Sequence, residues 1–137
     1  MPDLVDSGIF IRHVTGDHPS HSPLVTLVLD DIAHGRRDGY TTAAAIAEVT
    51  YVLESPRLPY HWSRAEIRAN ILPLIKLDHM YIDRKPLMDE IFDLYVHASA
   101  DFVDCYHAVL AKALRLDKVL TFDTHFRHFP FVQYGCP

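Results

Sequence analysis

The stretch LVDSGIF (residues 4–10) puts a carboxylate at the end of an apolar run, just where a new segment begins. Residues 3–5 are typical of a short strand. Residues 8–16 have the pattern of a short helix that Gly16 closes, before the turn-forming segment DHPSHSP. A strand that runs directly into a helix predicts the opening of an α/β fold, and it places Asp6 at the junction.

The rest of the chain repeats this alternation. Ser63 and Glu66 have the spacing of a capping box, Pro56 ends one apolar helical pattern, and Pro86 suits the first turn of another. Such alternation predicts an α/β fold with a mostly parallel four- or five-stranded sheet flanked by helices. Further strands are expected at 40–42, 80–82, 118–122 and 131–134, and further helices at 24–34, 43–55, 63–75, 86–99 and 101–116.

Composition limits the class of protein. The 137 residues, 49% of them apolar, predict a single domain over residues 1–137. No apolar run approaches a membrane span and no secretory signal is evident, so we expect a cytoplasmic protein. Cys105 and Cys136 do not indicate a disulfide framework. The net charge of −5 argues against a broad basic surface, although not against a local basic rim.

The common dinucleotide, P-loop, serine-hydrolase and zinc-protease motifs are absent from the sequence. The candidate site residues are instead four acids at the ends of predicted strands or on predicted helices: Asp6, Glu48, Asp104 and Asp123. Each acid also has a structural interpretation. For Asp6 alone a turn or helix cap is favoured, Glu48 can be a solvated helix residue, and Asp123 can belong to a turn. A cap role explains Asp101 better than Asp104. Gathered at the carboxyl ends of parallel strands, Asp6, Glu48, Asp104 and Asp123 would repel one another unless a divalent cation held them.

Hard oxygen ligands of this kind suit Mg²⁺ or Mn²⁺ and metal-assisted phosphodiester hydrolysis. The histidine pairs in DHPSH (17–21) and HFRH (125–128) have no matching partner pair, so we interpret them as surface residues and assign no zinc. Among the basic residues near predicted loops, Arg12 is the first to test for phosphate binding; the others are Arg36, Arg37 and Arg127.

Four segments of the chain resemble PIN domains, particularly those of VapC-type toxins. They are LVDSGIFIRHVTGDHP (4–19), TTAAAIAEVTYVL (41–53), DFVDCYHAVLAKAL (101–114) and KVLTFDTHF (118–126), in the order and spacing of that family. The resemblance implies a PIN-like three-layer fold and a Mg²⁺- or Mn²⁺-dependent endoribonuclease whose metal ligands are Asp6, Glu48, Asp104 and Asp123. Ser7 and Thr121 match positions where the family often has a hydroxyl near the metal, whereas Gly8 departs from its usual Asn.

The resemblance also implies partners. PIN-domain toxins generally form homodimers, cleave RNA and are inhibited by a cognate antitoxin protein. The apolar helical stripes in residues 24–33 and 66–77 offer surfaces for such contacts, although core packing explains most of those side chains. The leading hypothesis is therefore the toxin of a type II toxin–antitoxin pair. The alternative is a PIN-like module that binds RNA or protein and has little catalytic activity.

Overall fold

The computed structural model describes residues 1–136, which form six α-helices, five two-residue strands and two 3₁₀ helices. The chain divides into two compact units, Met1–Lys85 and Pro86–Pro137. The single domain expected over residues 1–137 stays a prediction. None of the helices within residues 1–136 is long and apolar enough to cross a membrane.

The elements of the first unit are β1 (Asp3–Leu4), α1 (Ser7–Thr15), α2 (His21–Ala33), β2 (Gly39–Tyr40), α3 (Ala43–Glu54), α4 (Arg64–Ile75) and β3 (Met80–Tyr81). The three strands form a parallel sheet in the order β1-β2-β3, in which Gly39 is in register with both Asp3 and Met80. Helix α1 packs against α2 and α3, and α3 packs against α4.

Local capping sets the helix ends in this unit. Thr42 Oγ1 accepts a hydrogen bond from Ala45 N at the start of α3. Ser63 and Glu66 form the predicted capping box at the start of α4. Gly16 adopts the left-handed conformation, with φ of 62°, that closes α1. The capping box and Gly16 were predicted as helix ends, whereas Thr42 was expected in a strand; the predicted helices are observed.

The core of the first unit lies between these helices and the sheet. Gly39 is buried in β2, where an added Cβ would lie 2.8 Å from Ile32 Cδ1 and 2.9 Å from Val5 Cγ2. The absence of a side chain at Gly39 therefore allows α2 to approach the sheet closely. The core of this unit includes fully buried apolar side chains, among them Phe10, Ile32, Ile46, Val49, Leu53, Ile67, Ile71, Ile75 and Met80.

The elements of the second unit are α5 (Met88–His97), α6 (Phe102–Ala113), β4 (Val119–Leu120), a 3₁₀ helix (Thr124–His128) and β5 (Tyr134–Gly135); another 3₁₀ helix covers Lys85–Leu87. Strands β4 and β5 form a two-stranded parallel sheet. Helix α5 packs against α6, and the rings of Phe92, Tyr95 and Phe102 contact one another with centroid separations of 5.3–6.2 Å.

The predicted α/β class, with parallel strands and flanking helices, is confirmed. All five expected strands are present, paired as three and two. Two of them are displaced from their expected positions: β2 covers Gly39–Tyr40 rather than 40–42, and β5 covers Tyr134–Gly135 rather than 131–134. At β2 the reason is local, since Thr42 caps α3 and so lies beyond the strand.

Candidate metal centre

Asp104, Asp123 and His125 form a compact group in the second unit. Each offers one ligand atom, and these atoms all lie within 4.8 Å of one another. Asp104 lies in the first turn of α6, while Asp123 and His125 lie at the start of the 3₁₀ helix after β4. The two carboxylates are half-buried and the imidazole is exposed, so the group is accessible from solvent.

Asp101 sets the position of Asp104. As the N-cap of α6, Asp101 accepts a hydrogen bond through Oδ1 from Asp104 N at 2.9 Å. Phe102 and Cys105, on either side of Asp104 along the helix, are buried and hold this first turn in place. The cap interpretation of Asp101 is therefore confirmed, and the side chain of Asp104 is left to the group.

A short network of hydrogen bonds positions Asp123. Thr121 Oγ1 accepts from Asp123 N at 2.9 Å, and Thr121 N donates to Gly135 O at 3.0 Å, which ties the loop to β5. Asp123 Oδ1 in turn accepts from His125 N at 2.8 Å. The predicted supporting residue Thr121 thus lies near the group and orients its carboxylate.

The two carboxyl groups differ in their affinity for a proton. Burial, with the nearby charges of Asp101 and Asp123, raises the pKa of Asp104 to about 6. The hydrogen bond from the His125 backbone lowers the pKa of Asp123. Asp104, which is hydrogen-bonded to Asp123, therefore takes up a proton at higher pH than Asp123 does. A pair held in this way is a place where a cation can replace a proton.

Comparison with known proteins identifies the family. A family model for the PIN domain matches residues 4–132. The chain belongs to the PIN domain family. A VapC ribonuclease from Aquifex aeolicus (strain VF5) is 21% identical over 128 residues, which cover 93% of this chain and 92% of the relative. The predicted family is therefore confirmed, and the matched region includes Asp104, Asp123 and His125.

The donor set of this PIN domain fits a divalent cation. Two carboxylates provide hard oxygen ligands and negative charge, and an imidazole provides a neutral nitrogen ligand. Burial, together with the charges of Asp101 and Asp123, makes the ionised form of Asp104 unfavourable and raises its pKa. A divalent cation beside them would relieve that repulsion.

The other two predicted acids of the PIN domain lie in the first unit. Asp6 is exposed and caps α1, where its Oδ1 accepts from Ser7 N at 2.8 Å. Its cap interpretation is confirmed, and this role leaves the second carboxylate oxygen for other contacts. Glu48 is exposed on α3. The structure thus brings together two of the four acids, Asp104 and Asp123, and the four-acid site stays a prediction.

The remaining supporting residues of the PIN domain also lie in the first unit. Ser7 is buried, with 5% of its surface exposed, directly after the Asp6 cap. Arg12 is exposed, and its Nη1 lies 2.8 Å from His21 Nδ1. Arg36 bonds with both Asp30 and Asp31, so its charge is locally compensated. Of these two arginines, Arg12 remains the better choice for a phosphate-binding test.

Sequence reasoning missed the role that His125 can take. It is a surface residue, as predicted, yet its Nδ1 lies 3.0 Å from Asp123 Oδ1. The search for pairs of histidines drew attention to the spacing of His125 and His128 and away from the nearby acid. The informative signal was the Asp-x-His spacing at the start of a tight turn, which brings the imidazole back to the carboxylate.

Proposed function

We propose that this PIN domain is a metal-dependent endoribonuclease that hydrolyses RNA phosphodiester bonds, and that it is the toxin of a type II toxin–antitoxin pair. Family membership and the similarity to a VapC ribonuclease support this proposal. The observation that carries it is the half-buried Asp104–Asp123 pair, because two carboxyl groups whose ligand oxygens lie within 4.8 Å of each other form a suitable cation site.

The proposed site contains Asp6, Glu48, Asp104 and Asp123 as ligands of Mg²⁺ or Mn²⁺. Bound there, the cation would activate a water molecule and neutralise charge on the scissile phosphate. Thr121 and the backbone of His125 hold Asp123 in a fixed orientation. Asp104 must release its proton before both carboxylates can act as ligands, so metal affinity should fall as the pH drops through about 6.

The proposed partners follow from the same function. An antitoxin segment would inhibit cleavage by covering the acids with a basic side chain. A homodimer would use apolar surface such as Leu24 and Leu27, which are 59% and 63% exposed on α2. Light scattering at micromolar concentration tests the dimer, and a strictly monomeric particle would exclude it. We propose a cytoplasmic location, because a ribonuclease that acts on cellular RNA must meet it there.

Cleavage of a fluorescently labelled RNA tests the activity. We expect cleavage with Mg²⁺ or Mn²⁺, none with excess EDTA, and loss of at least about 100-fold in Asp104→Asn and Asp123→Asn, because each loses a charged ligand. Asp101→Asn is the matched control, since Asn also caps helices and this residue lies one turn away on the same helix. RNA binding without any metal-dependent cleavage would instead support a binding module.

A further inference from the structure

His125 differs chemically from the acids of the proposed site. Its ring lies against Asp123, with Nδ1 3.0 Å from Oδ1, and its ligand nitrogen is within 4.8 Å of ligand oxygens on both Asp104 and Asp123. The side chain is 57% exposed, so the ring can turn toward an incoming ion at little cost in packing. The group thus offers a nitrogen donor in addition to its oxygens.

A nitrogen donor changes which ion a site prefers. Mg²⁺ binds oxygen ligands almost exclusively and keeps several of its waters, whereas imidazole is a good ligand for first-row transition metals. Of the two ions proposed for this site, both suit carboxylates and water, and Mn²⁺ as a transition metal accepts an imidazole nitrogen more readily than Mg²⁺ does. A site with two carboxylates and one imidazole should therefore distinguish Mn²⁺ from Mg²⁺, which an all-oxygen site does poorly.

We propose that His125 is a direct nitrogen ligand of the metal and that it makes the site prefer Mn²⁺ to Mg²⁺. This inference rests on the proposed metal-dependent function and goes beyond it by naming the ion and the residue that selects it. The competing role for His125 is purely structural, in which the ring donates a hydrogen bond to Asp123 and orients it. The two roles predict different effects on the two ions.

The experiment measures Mn²⁺ and Mg²⁺ affinities by isothermal titration calorimetry on the full-length protein, without RNA. His125→Asn removes the imidazole but keeps an amide that can still donate a hydrogen bond to Asp123. His128→Asn is the matched control, because it removes a second exposed histidine from the same 3₁₀ helix without touching the group. Thermal unfolding in EDTA verifies that each variant is folded.

If His125 is a ligand, His125→Asn should raise the Kd for Mn²⁺ by about 10-fold or more and the Kd for Mg²⁺ by less than about 3-fold, so that the preference is largely lost. Pulsed electron paramagnetic resonance of bound Mn²⁺ should show coupling to a ¹⁴N nucleus in the wild type and in His128→Asn. That coupling should disappear in His125→Asn.

Two results would overturn the inference while leaving the proposed function intact. Equal weakening of both ions would show that His125 only orients Asp123, and unchanged affinities would show that it does not contribute. A wild type that binds neither ion would overturn the proposed metal site itself, and the inference with it. A difference in RNA cleavage between the two ions would not by itself support a nitrogen ligand, because turnover depends on more than affinity.

Discussion

Substitution of Asp104 by Asn should have opposite effects on stability with and without metal. Asn resembles the neutral form of the carboxyl and adds no charge beside Asp101 and Asp123. The folded-state pKa of Asp104 is raised from 3.8 to about 6, so the folded protein binds this proton more tightly than the unfolded chain does. Stability therefore decreases as pH rises through this interval, and the loss is complete above the folded pKa.

The magnitudes follow from this linkage. A shift of about two units corresponds to about 3 kcal/mol, but the side chain is only partly buried, and solvent screening reduces the expected effect to about 1 kcal/mol. In EDTA at about pH 8, Asp104→Asn should therefore melt about 3–4 °C above the wild type. A metal at ten times its Kd adds about 1.4 kcal/mol to the wild type alone, which raises its Tm by about 5 °C.

Differential scanning calorimetry in EDTA and across a titration of Mg²⁺ or Mn²⁺ measures both effects. The order of melting temperatures should invert, with the variant higher in EDTA and the wild type higher at saturating metal. Asp101→Asn keeps the cap of α6 and both proposed ligands, so metal should raise its Tm as it raises that of the wild type. Its Tm in EDTA should lie between those of the wild type and Asp104→Asn, because only one charge beside Asp104 is removed. If metal stabilised Asp104→Asn as much as the wild type, Asp104 would not be a metal ligand. If the variant were clearly less stable than the wild type in EDTA, the charge of Asp104 would not destabilise the metal-free protein.

Three further predictions concern protons, caps and close packing. The rise in Tm caused by saturating metal should shrink between about pH 7.5 and pH 5, because protons compete at Asp104 with a pKa of about 6; a pH-independent rise would exclude Asp104 as a ligand. Asp101→Ala should cost about 1 kcal/mol of unfolding free energy by denaturant titration and Asp101→Asn almost none, since the cap of α6 is lost only in the former. Gly39→Ala should cost about 1–3 kcal/mol because its Cβ would lie 2.8 Å from Ile32 Cδ1. Gly8→Ala, which lies in α1 with no atom within 4 Å of the added Cβ, should instead stabilise the protein by up to about 1 kcal/mol in the same titration.

The helices were predictable because their ends carry chemical signals. Ser63 with Glu66, Asp101, and Gly16 each satisfy or close a helix terminus through their own side chain or backbone conformation. These signals are local, so the printed sequence contains them in full. The observed helix boundaries accordingly lie close to the expected ones.

The strands were predictable in number and order but not in exact position. Each strand has two residues, too few to show an alternation of apolar and polar side chains. Gly39 belongs to β2 because it pairs with Asp3 of β1 and Met80 of β3, which are distant from it in sequence, and its missing side chain leaves room for Ile32 of α2. Burial of this kind is a tertiary property, so it leaves little trace in the local pattern.

The site residues also include some that were predictable from the local sequence and one that was not. Asp104 was predictable because it lies in the first turn of a recognisable helix, and Asp123 because it follows a recognisable strand; the structure brings them together. His125 was not, since its meaning depends on a 3₁₀ turn that folds its ring back onto Asp123. The three-residue spacing of His125 and His128 was the more familiar pattern, and without a partner pair it favoured the interpretation that both are surface residues.

For Asp6 and Asp123, the role of helix cap is compatible with the proposed role of metal ligand. Asp6 and Asp123 each cap a helix through Oδ1, and this contact uses one of two carboxylate oxygens. The cap fixes the side-chain rotamer, so the second oxygen points in a defined direction before any ion arrives. Asp101 contributes differently: it accepts a hydrogen bond from the backbone of Asp104 and, by its charge, helps to raise the pKa of that neighbour. The same caps that define the helices therefore orient the proposed ligands. The negative charge of Asp101 also repels the ionised carboxylate of Asp104, and a cation bound there would relieve that repulsion.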